Sequence, residues 1–241
     1  MIVLIPMAGA GSRFTQAGYE LPKPLVDVAG EPMIVRVLNN LDFQHAHYVF
    51  LVRTEHYEKH KELFDKSFAP FDHDIILVDG LTEGAACTTL LAEEFIDRDV
   101  PLLIANSDQL VLDWDADEFL EFTEYYSKSW NADACIVTFT ATDPKWSFAA
   151  VNEDGWVTEV AEKLPISNIA TVGMYFWRNG SDYVRYAKQM IDKNRRVNNE
   201  FYVCPVFNEA IDDGKKIQTY TVTKMQGLGT PEDLQQYLST L

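Results

Sequence analysis

Short apolar runs alternate with amphipathic stretches through the first half of the chain, and this alternation constrains the fold more than any other feature. Nearly continuous apolar runs occupy residues 2–5, 48–52, 75–78, 101–105 and 134–139. Between them, apolar residues recur at helical spacing over residues 33–41, 55–68, 85–96 and 116–128. Strands that are apolar on both faces are typical of a parallel sheet covered by helices on each side. We therefore predict a Rossmann-like three-layer α/β fold with a mostly parallel sheet.

The second half of the chain has a different pattern. Two apolar stretches flank the polar segment Asn152-Glu-Asp-Gly155, which predicts a β-hairpin over residues 148–160. Further strands are expected over residues 171–177 and 216–222, and further helices over 181–193 and 200–212. A last helix should begin at Pro231 with Thr230 as its N-cap. No linker or repeat divides the chain, so we expect a single domain over residues 1–241 with a small β-rich elaboration.

The charge and the cysteines exclude several functions. The net charge is −17, so phosphates of nucleic acid and anionic membrane surfaces should repel the chain. No run approaches the roughly 20 apolar residues of a membrane span, and residues 1–6 lack the basic leader of a signal peptide. Cys87, Cys135 and Cys204 show no metal-ligand spacing. We expect a cytoplasmic protein with reduced thiols, and the sequence leaves its oligomeric state open.

A glycine-rich segment, Pro6-Met-Ala-Gly9-Ala-Gly11-Ser-Arg13-Phe14, follows the first apolar run directly. Ligands of such folds bind at the carboxyl ends of the strands. Gly9 and Gly11 would let backbone N–H groups approach an anion, and Arg13 offers a guanidinium fork to phosphate oxygens. Ten residues after Arg13, Lys23 stands between two prolines that hold it extended.

Two familiar phosphate-binding patterns do not fit this segment. The dinucleotide pattern G-x-G-x-x-G fails because Phe14 occupies the third glycine position, and no Gly-Lys-Ser/Thr of a P-loop follows. An ordinary glycine-rich turn would explain the loop alone, and an ordinary loop position would explain Lys23 alone. The two together, in this order after a buried strand, favour phosphate binding.

Gly9-Ala-Gly11-Ser-Arg13-Phe14 followed by Pro22-Lys-Pro-Leu25 resembles the signature of the sugar nucleotidyltransferases, the NDP-sugar pyrophosphorylases. The resemblance runs nearly end to end. It implies a fold similar to the GT-A glycosyltransferases, with residues 1–140 binding a nucleoside triphosphate and residues 141–241 binding a phosphorylated acceptor. By this resemblance Arg13 and Lys23 are catalytic, and the nucleotide is held by Met7, Ala8, Gly9, Ala10, Gly11 and Ser12.

Asp108 lies just beyond the carboxyl end of the run at 101–105. A carboxylate at that place can hold Mg²⁺ against phosphates, and the family carries its metal-binding Asp there. The alternative is an Asp that caps the following turn. We therefore expect Mg²⁺ as cofactor and Asp108 as both its ligand and a catalytic residue.

The segment Leu81-Thr-Glu83-Gly84-Ala85-Ala86 resembles the family's nucleobase loop, in which Glu83, Gly84 and Ala85 would face the base. A glycine-containing loop before a helix is the simpler alternative. Pyrimidine-specific members often carry Gln a few residues upstream, and none stands there in this chain. The base stays open, and we favour CTP because the short chain resembles small cytidylyltransferases of surface-polysaccharide pathways.

Glu162-Lys163-Leu-Pro165 resembles the family's Glu-Lys-Pro motif, although Leu164 intervenes before the proline. The resemblance implies that Lys163 binds the acceptor phosphate and is catalytic. It also implies that Glu162, Asn168 and Gly173 line the acceptor pocket. A surface ion pair followed by a core strand with a glycine bulge would explain any one of these pieces.

One departure from the family pattern concerns the metal. Many relatives carry a second metal-binding Asp shortly before Gly229-Thr-Pro-Glu-Asp233, where this chain has Gly227. Glu200 would then serve as a second ligand or touch the acceptor. It would equally suit the first turn of a helix, where the dipole favours it.

These features predict transfer of a nucleotidyl group from an NTP to a sugar phosphate or a phosphorylated amino alcohol or amide, with release of pyrophosphate. One alternative is a GT-A glycosyltransferase, but Asp97-Arg-Asp99 precedes the strand that such a metal motif should follow. A second alternative is a catalytically silent nucleotide-binding regulatory protein, which the missing second Asp would suit.

Overall fold

Strands and helices alternate along the chain in a computed structural model that describes all 241 residues. The strands are β1 Ile2–Pro6, β2 Asp27–Val28, β3 Glu31–Pro32, β4 His47–Arg53, β5 His73–Val78, β6 Leu102–Ala105, β7 Gln109–Val111, β8 Ala134–Thr140, β9 Ser147–Val151, β10 Val157–Glu162, β11 Ile169–Trp177, β12 Ile217–Thr221 and β13 Met225–Gly227. The helices are α1 Ser12–Gln16, α2 Met33–Leu41, α3 Thr54–Lys59, α4 Lys61–Phe68, α5 Ala85–Leu90, α6 Glu93–Ile96, α7 Ala116–Trp130, α8 Gly180–Asp192, α9 Val206–Asp212 and α10 Pro231–Leu238. A short 3-10 turn spans Lys23–Leu25.

One nine-stranded sheet runs through the molecule. Strands β5, β4, β1 and β6 are neighbours in that order and are all parallel. Antiparallel β11 follows β6 and joins β8, which pairs in parallel with β12. The hairpin β9–β10 extends the sheet beside β11. The predicted α/β fold with a mostly parallel sheet is confirmed.

Both faces of the sheet are buried. Along β1, Val3 and Ile5 belong to one apolar core, whereas Ile2 and Leu4 belong to the other, as the alternation of side chains in a strand requires. The first core is closed by α2, α4, α7 and α10, and the second by α5, α6, α8 and α9. This is the predicted three-layer arrangement, and it explains why the central strands lack polar residues.

The parallel strands all end at one edge, which gathers the loops after β1, β5 and β6. Antiparallel β11 reaches the same edge, where the Gly173 carbonyl accepts a hydrogen bond from the Asn106 backbone N–H at 3.0 Å. The short pair β7–β13 ties the C-terminal segment to the residues just after Asp108. Three distant parts of the chain therefore meet beside Asp108.

Several element boundaries differ from the predictions. The helices expected over 55–68 and 85–96 are each two helices, interrupted at His60 and at residues 91–92. The helix expected over 200–212 begins at Val206, because residues 197–201 form a turn that pairs with another loop and Pro205 lacks the N–H of a helix interior. The small strands β7 and β13 were not predicted, since three residues carry too little periodicity.

All three cysteine thiols are free. Cys135 and Cys204 are buried, and desolvation raises the pKa of each thiol well above its ordinary value. Neither is a ready nucleophile near neutral pH, because the thiolate is the reactive form. None of the helices combines the length and apolarity that a bilayer span requires.

The packing of α9 on β11 gives a test of the second core. The Phe207 ring is fully buried and stacks on Trp177 with centroids 4.5 Å apart. Replacing Phe207 by Ala should lower the free energy of unfolding by about 3–5 kcal/mol, because a cavity replaces the ring. Urea unfolding measures the loss. The exposed Tyr125 serves as control, since Tyr125→Ala should change stability by less than about 0.5 kcal/mol.

Candidate active site

Two cavities lie side by side at the carboxyl edge of the sheet, and Lys23 lines both. The first has a volume of about 340 Å³ and the second about 380 Å³. The first is lined mainly by glycine, alanine and threonine, whereas charged and polar residues together dominate the second. The arrangement provides room for two ligands that meet at one lysine.

The glycine-rich loop after β1 forms one wall of the first cavity. Its residues Met7, Ala8, Gly9, Ala10 and Gly11, which the sequence predicts to hold the nucleotide, all line that cavity. Gly11 has φ +60°, and a Cβ there would lie 3.4 Å from the Lys23 side chain. The left-handed turn favours glycine here, while a Cβ would only come into ordinary contact with the lysine.

Ser12 and Arg13 were also expected at the nucleotide, but neither lines the first cavity. Helix α1 begins at Ser12, and its turn directs the chain away from the loop. Arg13 instead lines the second cavity, from an exposed position on α1. Arg13 thus lines the neighbouring cavity and not the one that contains the glycine-rich loop.

The predicted nucleobase loop forms the facing wall of the first cavity. Gly84 and Ala85 line it, together with Gly80, Leu81, Thr82 and Thr88. Gly84 has φ +134°, and a Cβ there would lie 2.5 Å from the backbone N and O of Phe201. The expectation for Glu83 is wrong, because its exposed carboxylate forms an ion pair with Arg196 at 2.5 Å and does not line the cavity.

Lys23 and Asp108 form an ion pair between the two cavities. The Lys23 Nζ lies 2.8 Å from Asp108 Oδ2, and both side chains are mostly buried. The 3-10 turn at Lys23–Leu25 fixes the lysine, and the Leu228 N–H donates to the Asp108 carbonyl at 2.7 Å. A Cβ on Gly229 would come within 2.7 Å of the Asp108 carboxylate, so the C-terminal segment packs directly on this pair.

The second cavity concentrates charge of both signs. Four cations line it, Arg13, Lys23, Lys145 and Lys163, against three carboxylates, Asp108, Glu162 and Asp233. The whole chain carries −17, so this excess of positive groups is a local reversal of the overall field. Such a reversal is what a site for phosphate anions needs in an acidic protein.

Glu162 and Lys163 stand where β10 ends. The Ser147 hydroxyl donates a hydrogen bond to the Glu162 carboxylate, and burial raises the pKa of that carboxyl above its ordinary value. Lys163 has φ +56°, a left-handed conformation that turns the chain out of the strand. Its Nζ donates to the Tyr202 hydroxyl at 2.6 Å and lies 4.6 Å from the centroid of that ring.

Gly173 lets two polar side chains, those of Asn106 and Gln109, share the floor of the second cavity. It has φ +75°, and a Cβ there would lie 2.5 Å from Gln109 Oε1 and closer still to the Asn106 amide. The Gln109 Oε1 is buried without a hydrogen-bond partner, while Gln109 lines the cavity. This oxygen therefore has an unused acceptor position at the cavity floor.

Two predicted acceptor residues lie elsewhere. Asn168 is exposed at the start of β11 and lines neither cavity, because Thr171, Gly173 and Tyr175 form the alternating face of that strand that does. Glu200 lines the first cavity and not the second. It precedes α9 by several residues, so it is not a first-turn helix glutamate.

The second cavity also contains residues that the sequence analysis missed, namely Asn106, Gln109, Lys145, Trp146, Ser147, Thr171, Tyr175, Thr230 and Asp233. Asn106 and Gln109 flank Asp108 and could have been found from their position after β6. The residues around Trp146 carry no such signal. They reach the site through the antiparallel pairing of the hairpin with β11.

The residues present fit a magnesium ion. Mg²⁺ is usually held by one or two carboxylates together with substrate phosphates, so a cluster of three protein ligands is not needed. No such cluster occurs in the structure. Asp108 offers one carboxylate, and a Cβ on Gly227 would lie 3.7 Å from the Asp233 carboxylate. Asp233 therefore lies beside the position where many relatives carry their second Asp.

The sequence model of the nucleotidyl transferase family matches residues 2–240. The chain belongs to this family. The chain is 29% identical over 154 residues to a mannose-1-phosphate guanyltransferase of Yarrowia lipolytica. This match covers 63% of this chain and 41% of the relative. A CMP-5'-(3-aminopropyl)phosphonate synthase of Streptomyces rubellomurinus is 35% identical over 97 residues, covering 40% of this chain and 15% of the relative. The chain thus spans less than half the length of these relatives.

The fold is shared with a solved nucleoside-diphosphate-sugar pyrophosphorylase of Vibrio cholerae RC9. The two structures superpose with a TM-score of 0.85 over 99% of this chain and 100% of the other, at 24% identity. A UDP-glucose pyrophosphorylase in complex with UDP-glucose gives a TM-score of 0.78 at 18% identity, over 99% of this chain and 97% of the other. These structural similarities show a shared fold.

Substituting Gly173 tests the packing of the cavity floor. Gly173→Ala should cost about 1–2 kcal/mol for the left-handed backbone and a further ~1–3 kcal/mol for the clash with Asn106 and Gln109. Gly155 is a matched control, because it has φ +82° but a Cβ there would meet nothing within 4 Å. Urea unfolding of both variants separates the two contributions. Equal losses would mean that the neighbouring side chains move aside freely.

Glu162 predicts a pH dependence of stability. A carboxyl whose pKa is raised by folding holds its proton more tightly in the folded state, so stability falls as pH rises from the ordinary pKa of glutamate to the raised one. Glu162→Gln removes this loss. The unfolding free energy of the variant, relative to the native protein, should therefore increase as the pH rises above the ordinary pKa of glutamate, about 4.3. A constant or falling difference across that range would contradict the burial of a charged carboxylate.

Proposed function

We propose that the protein transfers a nucleotidyl group from a nucleoside triphosphate to a small phosphorylated acceptor and releases pyrophosphate. The observation that carries the proposal is the meeting of two cavities at the Lys23–Asp108 pair. One cavity has the backbone amides and small residues that suit a nucleotide. The other has the cations that suit a second phosphate. In this proposal residues 1–140 supply most of the nucleotide site and residues 141–241 most of the acceptor site.

The chemistry requires two anions to approach each other. An acceptor phosphate oxygen attacks the α-phosphorus of the triphosphate, which forms one P–O bond and breaks the bond to the leaving pyrophosphate. In our proposal the Gly9–Gly11 amides hold the nucleotide phosphates, Lys23 neutralises charge where the two phosphates meet, and Lys163 aligns the acceptor phosphate. Arg13 contributes to the charge of the acceptor side, since it lines that cavity.

Asp108, with Asp233 beside Gly227, would hold Mg²⁺, which when bound supplies further neutralisation of phosphate charge. In this proposal the ammonium of Lys23 also holds the Asp108 carboxylate in place. A general base is not required, because a phosphate dianion is already a nucleophile near neutral pH. None of the five histidines lines either cavity, in agreement with this.

We further propose CTP as the nucleotide. The first cavity is lined mainly by small residues, which leave room for a base beside the backbone amides. The similarity to a CMP-5'-(3-aminopropyl)phosphonate synthase supports a cytidine nucleotide. GTP is the nucleotide against which CTP should be tested, because the chain is also similar to a mannose-1-phosphate guanyltransferase.

The acceptor should carry hydrogen-bond donors beyond its phosphate. Gln109 Oε1 is buried without a partner, and the Glu162 carboxylate and the Trp146 ring line the same cavity. Amino groups and hydroxyl groups both satisfy such oxygens. We therefore propose a sugar phosphate or a phosphorylated amino alcohol or amide, and precursors of surface polysaccharides are the first set to screen.

The glycosyltransferase alternative lacks a metal motif at the site. Asp99 accepts a hydrogen bond from the Ser181 hydroxyl at 2.6 Å, and neither Asp97 nor Asp99 lines a cavity. Both precede β6, whereas the cavities lie beyond its carboxyl end. This segment therefore gives no support to transfer from an NDP-sugar.

Two measurements test the proposal. Thermal stability is recorded with ATP, CTP, GTP, UTP or dTTP, each with and without Mg²⁺, and a ligand at about 100 times its Kd should add about 2.7 kcal/mol. The nucleotide that stabilises is then assayed for pyrophosphate release with phosphorylated acceptors. Stabilisation by NDP-sugars alone would overturn the proposal in favour of glycosyl transfer. Stabilisation by an NTP without pyrophosphate release from any acceptor would favour a regulatory protein.

Lys163 provides the sharpest variant for the acceptor side. Replacing Lys163 by Met should raise the KM for the acceptor roughly tenfold to hundredfold, because one charge-assisted contact to phosphate is lost. The KM for the NTP should stay unchanged, since Lys163 does not line the first cavity. Steady-state kinetics with each substrate varied measures both. Lys128→Met, on the exposed face of α7, is the control.

A further inference from the structure

Residues 197–203 form a strap that connects a wall of the first cavity with Lys163 of the second. A tight turn opens it, in which the backbones of Val197 and Glu200 exchange hydrogen bonds at 3.0 and 2.9 Å. Asn198 and Asn199 make this turn with φ +49° and +63°. The Glu200 side chain lines the first cavity, and Tyr202 contacts Lys163 of the second. One short segment therefore touches the groups that face both ligands.

The strap is clamped to the nucleobase loop. The Phe201 N–H donates to the Glu83 carbonyl at 2.9 Å, and the Phe201 carbonyl accepts from the Ala86 N–H at 2.9 Å. Gly84 has no room for a side chain, because a Cβ there would collide with the Phe201 backbone. Outside the clamp, Arg196 pairs with the Glu83 carboxylate and lies 4.0 Å from the centroid of the Phe201 ring.

The other end of the strap holds the acceptor lysine. The Tyr202 hydroxyl accepts a hydrogen bond from Lys163 Nζ at 2.6 Å, and the ammonium also lies against the ring. Burial raises the pKa of the Tyr202 hydroxyl, and the neighbouring Glu200 carboxylate raises it further. Tyr202 therefore stays a neutral phenol, which holds the ammonium without cancelling the charge that an acceptor phosphate would meet.

We propose that Tyr202 is a positioning residue for Lys163, and that the strap makes this position depend on the packing of the nucleobase loop. The inference rests on the proposed function, because it assigns Lys163 to the acceptor phosphate. A free lysine side chain samples many rotamers, and holding it in one reduces the entropy lost when the acceptor binds. The clamp at Glu83, Gly84 and Phe201 fixes the strap, and the strap fixes the lysine.

Kinetics of three variants tests the inference. Tyr202→Phe keeps the ring but removes the hydroxyl, so the acceptor KM should rise roughly tenfold, as expected for one hydrogen bond to a charged group. The kcat and the NTP KM should change less than twofold. Arg196→Met loosens the clamp and should raise the acceptor KM in the native background but add nothing in the Tyr202→Phe background.

Arg185→Met is the matched control. Arg185 also pairs with a carboxylate, Asp213, and lies 5.0 Å from the centroid of the Tyr186 ring, but it lines neither cavity. It should leave both KM values unchanged. A lower acceptor KM in Tyr202→Phe would overturn the inference, since Tyr202 would then compete with the acceptor. If Arg196→Met and Tyr202→Phe had additive effects on the acceptor KM, the strap would not couple the two residues, and that part of the inference would be wrong.

A second measurement needs no turnover. The rate of reductive methylation of Lys163, followed by mass spectrometry in the substrate-free protein, reports how firmly its ammonium is held. Tyr202→Phe and Arg196→Met should each raise this rate several-fold, while Lys128 reacts equally in all variants. Unchanged Lys163 reactivity would overturn the positioning role, whatever the kinetics. Raised reactivity in a protein that releases no pyrophosphate would retain the positioning role and reject the proposed function.

Discussion

The ion pair between Lys23 and Asp108 is the interaction on which the rest of the site depends. Lys23 comes from the turn after the glycine-rich loop, and Asp108 from the end of β6, so their contact joins the first and fourth parallel strands of the chain. Gly229 packs on the carboxylate from the C-terminal side. An isolated ion pair at a surface would contribute little to stability. Here its position matters more, because both cavities open on the lysine.

Backbone geometry, more than side-chain variety, shapes this region. Gly11, Gly84 and Gly173 each have positive φ and each leave room that another group occupies. At Gly84 the neighbour is the backbone of Phe201, and at Gly173 it is the amide side chains of Asn106 and Gln109. Any larger residue would shift a wall of one cavity. The glycines therefore set the distances between the phosphate loop, the nucleobase loop and the acceptor strand.

The charge at the second cavity is opposite in sign to the net charge of the chain. The chain carries −17, yet four cations converge on the second cavity. The three lysines among them have different local environments: Lys23 pairs with Asp108, Lys145 lies over the Trp146 ring, and Lys163 is held by Tyr202. These contacts fix the cations without burying them completely. An acidic protein can thereby attract small phosphates at one edge while its remaining surface repels polyanions.

The sequence by itself determined the layers of the fold and the place of the glycine-rich loop. Apolar runs on both faces of β1 and β6 required covering helices, and Gly9 to Gly11 after β1 had to lie at the carboxyl edge. The sequence also singled out Lys23 by its two flanking prolines, Asp108 by its place after β6, and Lys163 by resemblance to a family motif. Only the tertiary structure decided that Arg13 faces the second cavity, that Glu83 points outward, and that Trp146 and Asp233 join the acceptor side. Those positions depend on antiparallel pairings between distant segments and on helix direction, which local periodicity does not encode.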